Sequence, residues 1–230
     1  MPDQPYVVKS IVSSELATKI CDAHNVEMFN VLTGFKFIGE VIKNHEATGI
    51  GSYIFGFEES YGYLKGTYAR DKDAVVATML ICEMTAYYHA KGMTLYDALE
   101  GLYAKYGFCL ERNVEIYMDG VDGPAKMAAL LDGMRKNTPV ELGGIKVVTF
   151  GDYAKQTFTT VATGEKISTE LPASNVLSFK LENGDVVIVR PSGTEPKVKF
   201  YFMVSAADQE TALASIESYK KTLNIVFFML

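Results

Sequence analysis

The residues best suited to chemistry stand together in Arg190-Pro191-Ser192-Gly193-Thr194-Glu195-Pro196-Lys197. Apolar alternation on both sides places this segment between two strands, so its ends are fixed by sheet hydrogen bonds. Gly193 would let successive amides turn inward as an anion nest. Ser192 and Thr194 add hydroxyl donors, and Arg190 adds a planar fork matched to phosphate oxygens. Pro191 and Pro196 stiffen the flanks and reduce the ordering cost of binding. A plain surface turn uses Pro, Ser and Gly as well, but the added Arg and Thr favour a phosphate site.

A second group is Gly56-Phe57-Glu58-Glu59-Ser60-Tyr61-Gly62, which follows an expected strand. Ligands of open α/β sheets collect at the carboxyl ends of strands. A carboxylate there can accept from two neighbouring sugar hydroxyls, with Ser60 adding a third contact. A solvated turn explains two glutamates between glycines equally well, and the residue types leave both readings open. Lys9, Lys36, Arg70 and Lys72 fall near expected element ends and read singly as solvated charges. Asp71 and Asp73 flank Lys72 without a third oxygen ligand, a poor metal site. Helix capping accounts for Asp73 better, and Asp119 and Asp122 read as turn and cap residues.

These loops need a scaffold. The chain has 230 residues, 48% of them hydrophobic, enough for one core or two small ones. Its 22 Lys+Arg against 28 Asp+Glu give a net charge of −6, which argues against a general nucleic-acid binder. Cys21, Cys82 and Cys109 form no CxxC pair, and three scattered histidines complete no zinc set. Cys82, within an apolar helical stretch, reads as a small buried hydrophobe. Unpatterned cysteines and a start without a basic, apolar leader fit a cytoplasmic protein. No apolar run is long enough for a bilayer.

The first half alternates strand and helix signals. Strands are expected at Tyr6–Val8, Val26–Val31 and Tyr53–Phe57. Helices are expected from Ser13 or Ser14 to about Ala23, from Phe35 to about Lys43, from an Asp73 cap to before Gly92, and after Thr94 with Asp97. The Asp73 helix is apolar on nearly every face and should be deeply packed. After about Phe108 the pattern changes. A strand at Val114–Met118, a helix from Pro124 to about Arg135 and a strand at Lys146–Phe150 precede a polar connection, Gly151–Ala173. Val176–Leu181 and Val186–Val189 flank Asn183-Gly184, the pair preferred in a type I′ turn. Val198, Phe200, Phe202 and Val204 alternate as one buried strand face. Ser205–Asp208 resembles a capping box before a helix bearing Leu213, Ile216, Tyr219 and Leu223. The expected fold class is an α/β domain with a parallel-strand α/β/α layer, residues 1–110. An α+β domain follows over 111–230, an antiparallel sheet with helices on one face. The apolar ending Ile225–Leu230 is unlike a solvated terminus.

The Arg190–Lys197 and Gly56–Gly62 motifs, with Thr33-Gly34-Phe35-Lys36, resemble the α-D-phosphohexomutase family, which includes phosphoglucomutases and phosphomannomutases. The resemblance runs over nearly the whole chain and covers only the third and fourth of that family's four domains, with the third shortened at its start. It implies an isomerase chemistry that interconverts sugar 1-phosphates and 6-phosphates through a phosphoserine and magnesium. Neither the serine loop nor the DGDxDR-type metal loop is present in this sequence, so the chain alone is expected to be inactive. It carries no catalytic residue, cofactor or metal ligand, with Mg2+ belonging to the full-length family. The resemblance gives Glu58, Ser60, Thr33 and Gly34 the sugar contacts and Arg190, Ser192, Gly193 and Thr194 the phosphate. Lys9 and Lys72 match basic positions facing the phosphosugar. The implied ligand is a hexose phosphate, glucose 1-phosphate or 6-phosphate, with no nucleic acid or membrane partner. A non-catalytic phosphosugar-binding module, or one half of an enzyme completed by a separate N-terminal half, is the alternative. Self-association through apolar surface left bare by the shortened third domain is a further expectation.

Overall fold

The structure, a computed structural model, describes residues 2–224. The apolar ending Ile225–Leu230 lies outside the described residues. The chain divides into two compact units, Met1–Phe108 and Cys109–Leu230.

The first unit runs β1 (Pro5–Ser10), α1 (Glu15–Ala23), β2 (Glu27–Val31), α2 (Phe35–Thr48), β3 (Ser52–Glu58), β4 (Gly62–Leu64), α3 (Ala74–His89) and α4 (Leu95–Tyr106). Its sheet has the order β2-β1-β3-β4. The first three strands are parallel, each joined to the next by a helix, and β4 turns back antiparallel to β3. Parallel strands of this kind are covered on both faces, which is why their sequences are apolar runs. On one face Tyr6, Val8 and Val31 pack against Phe35, Ile38 and Ile42 of α2, with Leu64. On the other, Val7 packs with Cys21 and Val26, and Ile54, Phe55 and Phe57 are only partly covered. The Ser14 Oγ accepts from the Leu16 N–H and starts α1. Helix α2 outlasts the expected Lys43 end. It continues to Gly49, which takes the left-handed conformation at φ 66° that terminates a helix.

Helix α3 corrects the expectation of deep packing. Asp73 caps it as expected, accepting from the N–H groups of Val75 at 2.7 Å and Val76 at 3.2 Å. None of its residues is buried, and Val75 and Met79 are 69% and 65% exposed. The reason is its support. It rests on α4 and on β4, an edge strand of three residues. Cys82 is therefore exposed rather than a buried hydrophobe. A cavity of about 660 Å3 opens beside the helix, lined by Phe55, Tyr63, Leu80, Met84 and Tyr87. Helix α4 starts with the expected reciprocal cap between Thr94 and Asp97. Among the described residues no helix is long and apolar enough to cross a membrane.

The second unit contains β5 (Phe108–Tyr117), α5 (Gly123–Lys136), β6 (Glu141–Leu142), β7 (Ile145–Asp152), β8 (Thr157–Thr160), β9 (Lys166–Ser168), β10 (Leu177–Leu181), β11 (Val186–Pro191), β12 (Lys197–Ala206) and α6 (Gln209–Thr222). The sheet order is β5-β12-β11-β10-β7-β8-β9, with β6 on β7. From β12 to β9 every pairing is antiparallel. The expected connection after Gly151 therefore contains the short strands β8 and β9. Strand β12 is buried on both faces rather than one. Val198, Phe200 and Phe202 are covered, and so are Tyr201 and Met203, and both α5 and α6 pack on this strand.

The Asn183-Gly184 turn also differs from the expected two-residue form. Gly184 donates its N–H to Leu181 O, the Leu181 N–H pairs with Asp185 O, and only Gly184 of the pair has a positive φ, 91°. The loop is thus three residues long, a turn followed by a left-handed glycine. The capping box expected at Ser205 is absent because β12 extends through it. Asp208 caps α6 instead, accepting from the Thr211 N–H at 2.8 Å. Asp185, 1% exposed, ties hairpin, strand and helix together. It accepts from Tyr219 Oη at 2.6 Å, the Ser205 N–H at 2.9 Å and Asn183 Nδ2 at 2.9 Å.

Candidate functional site

In the first unit, the carboxyl ends of β1, β2 and β3 fall on one edge of the sheet, as parallel strands require. Glu58, the last residue of β3, is 7% exposed. Its Oε1 accepts from the Gly34 N–H at 2.6 Å, so one carboxylate joins the loop after β3 to the start of α2. Gly34 sits at φ 120°, a conformation that L side chains rarely adopt. The carboxylate also lies at the positive end of the α2 dipole.

Glu59, Ser60 and Tyr61 connect β3 to β4 as a tight hairpin. Tyr61 occupies the left-handed region at φ 63° and is 87% exposed. A non-glycine residue held there costs about 1 kcal/mol, a strain typical of functional loops. Ser60 beside it is exposed and Thr33 is half-buried. Ser10, not singled out from sequence, and Ser13, expected there only as a helix cap, complete the edge. Ser10 Oγ donates to Glu59 Oε2 at 3.1 Å and shares a 2.8 Å hydrogen bond with Ser13 Oγ.

The two lysines have different environments. Lys72 is exposed, paired with Asp71 at 2.8 Å, and its ammonium lies 5.4 Å from the centre of the Phe35 ring. Its stem crosses Gly62, where an added Cβ would meet Lys72 Cδ at 2.6 Å. Lys72 therefore reaches the same edge as Glu58 and Gly34. Lys9, expected singly to be a solvated charge, is fully buried. Its Nζ donates to Ser13 O at 3.0 Å and Glu15 Oε1 at 2.9 Å. Two of its three N–H groups thus brace the loop between β1 and α1. Lys36 and Arg70 line a separate cavity of about 520 Å3 with Lys43 and Glu40, on the outer side of α2.

In the second unit, residues 192–196 join β11 to β12. Arg190 stands directly across from Lys199 in the antiparallel register, so the two side chains share a face. Lys199 pairs with Glu115 Oε1 at 2.8 Å. The Arg190 guanidinium has no ion pair with any described residue. The loop closes on itself through Ser192. The Ser192 N–H donates to Lys197 O at 2.8 Å. Its Oγ receives the N–H groups of Thr194 at 3.3 Å and Glu195 at 3.2 Å. Both amides are therefore taken by the Ser192 hydroxyl, and an anion that displaced this oxygen would meet two donors. The expected reason for Gly193 needs correction. It is not among the glycines at positive φ, and nothing lies within 4 Å of where its Cβ would stand. The Ser192 hydroxyl gathers the amides.

Lys197 lies beneath this loop, 7% exposed. Its Nζ meets Glu115 Oε2 and Glu195 Oε2 at 2.9 Å each, and Tyr117 Oη at 3.2 Å. Hydrogen bonds from Lys199 and Lys197 hold the Glu115 carboxyl down at about 2, and bonds to Glu115 first, then Glu195 and Tyr117, raise the Lys197 ammonium. Both stay charged across the physiological range. Among the described residues no group of three or more His, Cys, Asp or Glu could hold a metal ion. The side chains here therefore do not fit a magnesium site, and Asp73 serves as a helix cap.

Residues 1–106 match the family profile described as phosphoglucomutase/phosphomannomutase, alpha/beta/alpha domain III, and residues 125–217 match the C-terminal domain of the same family. A phosphoglucomutase of Staphylococcus haemolyticus is 36% identical over 221 residues, 95% of this chain and 39% of the relative. One from Staphylococcus aureus is 37% identical over 198 residues, 85% of this chain and 35% of the relative. The chain thus spans about two fifths of the length of these relatives. Among solved structures, the open form of the Paramecium phosphoglucomutase parafusin aligns over 96% of this chain and 38% of its own, at a TM-score of 0.67 and 20% identity. A Burkholderia thailandensis phosphoglucomutase/phosphomannomutase family protein aligns over 96% and 37%, at 0.57 and 13%. These two likenesses speak to fold, and the profile matches decide membership. With its third-domain and C-terminal matches in order along the sequence, the chain belongs to the phosphoglucomutase/phosphomannomutase family.

Proposed function

We propose that this chain is the substrate-recognition portion of a phosphohexomutase that interconverts sugar 1-phosphates and 6-phosphates. The observation that carries the reading is the β11–β12 loop. The Arg190 guanidinium, without an ion pair among the described residues, stands beside a turn whose Thr194 and Glu195 amides converge on Ser192 Oγ. Arg190, Ser192, Gly193 and Thr194 supply the donors for a phosphate dianion, the chemistry of charge-assisted hydrogen bonding. Glu58, with Ser60, Thr33 and Gly34, receives the ring hydroxyls of the hexose. Its Oε1 is oriented by the Gly34 N–H and its remaining lone pairs accept further donors. Lys72 adds a positive charge at that edge, and Lys9 braces the neighbouring loop. Glucose 1-phosphate and glucose 6-phosphate are the proposed ligands.

Recognition is not transfer. The chain contains neither the serine nor the metal loop expected from the family, so on this reading it binds without turning over. Transfer would require an N-terminal portion that carries those loops. Titration of glucose 6-phosphate into the wild-type chain and Arg190→Ala tests the binding role. Loss of at least tenfold in affinity is expected on removing a charge-assisted contact, about 1.5–3 kcal/mol. Equal affinities, or no binding by the wild type, refute it. Conversion of glucose 1-phosphate by the chain alone, with magnesium and a bisphosphate activator, refutes the recognition-only role.

A further inference from the structure

Lys197 is an unusual residue to bury, because a solvated ammonium gives up hydration that only well-placed partners replace. Here the partners come from two directions. Glu195 belongs to the loop, while Glu115 and Tyr117 belong to β5. Lys197 therefore spans from the loop to a strand on the far side of β12 from β11. The trailing limb has a second tie in the same direction, because the Met118 N–H donates to Pro196 O at 2.7 Å. Among the described residues no hydrogen bond joins the leading limb to β5, and Ser192 bonds within the loop and to Lys197 O.

We propose that Lys197 is a positioning residue that latches the Arg190–Pro196 loop to β5, joining Glu195 to Glu115 and Tyr117 so that the loop is preset for a phosphate-bearing ligand. This rests on the phosphate reading of the loop. The latch fixes Glu195, whose amide is one of the two that converge on Ser192 Oγ. Fixing that residue before binding removes part of the ordering cost of the complex. Glu115 keeps its second lysine, Lys199 at 2.8 Å, whatever happens at Lys197. Glu195 is half exposed and can take water in place of the ammonium. The latch can therefore be cut without stranding a buried charge.

Charge and positioning are separable, because the two ends of the latch carry opposite signs. The full chain is titrated with inorganic phosphate and with glucose 6-phosphate, in parallel for wild type, Lys197→Met, Glu195→Gln, Lys197→Arg and Arg190→Ala. Cutting the latch is expected to weaken binding by about fivefold in both Lys197→Met and Glu195→Gln, although the second removes a negative charge next to an anion site. Lys197→Arg, which keeps the charge and reaches both carboxylates, stays within about twofold of wild type. If charge alone governs the loop, Lys197→Met weakens binding and Glu195→Gln tightens it, which overturns the proposal. Unchanged affinity in Glu195→Gln, with binding lost in Arg190→Ala, also overturns it while leaving the phosphate site standing. Unchanged affinity in Arg190→Ala removes the site itself. Thermal melts accompany each titration, and if Lys197→Met unfolds early the exposed Glu195→Gln arm decides.

Discussion

Replacing Glu58 separates its work in the fold from its work on a ligand. In the structure its carboxylate accepts one hydrogen bond from the Gly34 N–H at 2.6 Å, at the first turn of α2. A hydrogen bond to a charged acceptor contributes about 1.5–3 kcal/mol. Gly34 is only half-buried, so water recovers part of that on truncation, and Glu58→Ala should cost about 2 kcal/mol. Glu58→Gln keeps an acceptor oxygen but loses the charge that the helix dipole favours, so it should cost about 1 kcal/mol. Local opening is read at the Gly34 amide by hydrogen exchange. The expected acceleration is about fivefold for Gln and about thirtyfold for Ala, the factors that 1 and 2 kcal/mol represent. Amides in the second unit should not respond. In parallel, glucose 6-phosphate affinity should fall in both variants, because an amide presents one acceptor oxygen where a carboxylate presents two. Gly34 exchange that is the same in Glu58→Ala as in wild type would falsify the structural half of this argument. An unchanged affinity would remove Glu58 from the sugar site.

Two titrations test the second unit. Tyr219 is pushed up to about 12, by burial first and then by its bond to Asp185. A phenol raised in the fold contributes stability that is complete below pH 10 and lost as pH rises toward 12. Tyr219→Phe should remove that alkaline loss and lower stability near neutrality by about 2 kcal/mol in denaturant melts. Glu115 is depressed from 4.5 to about 2, so its contribution is present above pH 4.5 and declines as pH falls toward 2. Melts of Glu115→Gln should show a flatter acid limb than wild type, and an identical limb would contradict the Lys197–Glu115–Lys199 arrangement.

Much of the architecture is legible in the residue pattern, and the exceptions share a cause. Asp73, and Thr94 with Asp97, act within a few residues, so their signals survive in a bare sequence. The strand–helix alternation of the first unit and the β10–β11 hairpin are equally local. Helix α3 shows the limit. An apolar surface states that cover is favourable, but the cover itself depends on neighbours such as the three-residue β4. Strands β8 and β9 were hidden because they are short, polar and partly or fully exposed, so no alternation marks them. At the candidate site, the segments Glu58–Gly62 and Arg190–Thr194 can be chosen by residue type, and Thr33–Gly34 only by resemblance. The bonds that organise them cannot. Lys9 turns its ammonium onto Ser13 and Glu15, within six residues of itself, and Lys197 is buried because β5 brings Glu115 beside it. The second fact depends on a pairing between distant segments.

The sheet topology carries a kinetic consequence. In the second unit β10, β11 and β12 are successive antiparallel neighbours, so their contacts close short stretches of chain. In the first unit β1 pairs with β2 and β3 only after a whole helix has intervened each time. Contacts between distant residues form more slowly than local ones. The hairpin array holding Arg190 is thus expected to assemble early, and Glu58 at the end of β3 to meet Gly34 at the start of α2 later.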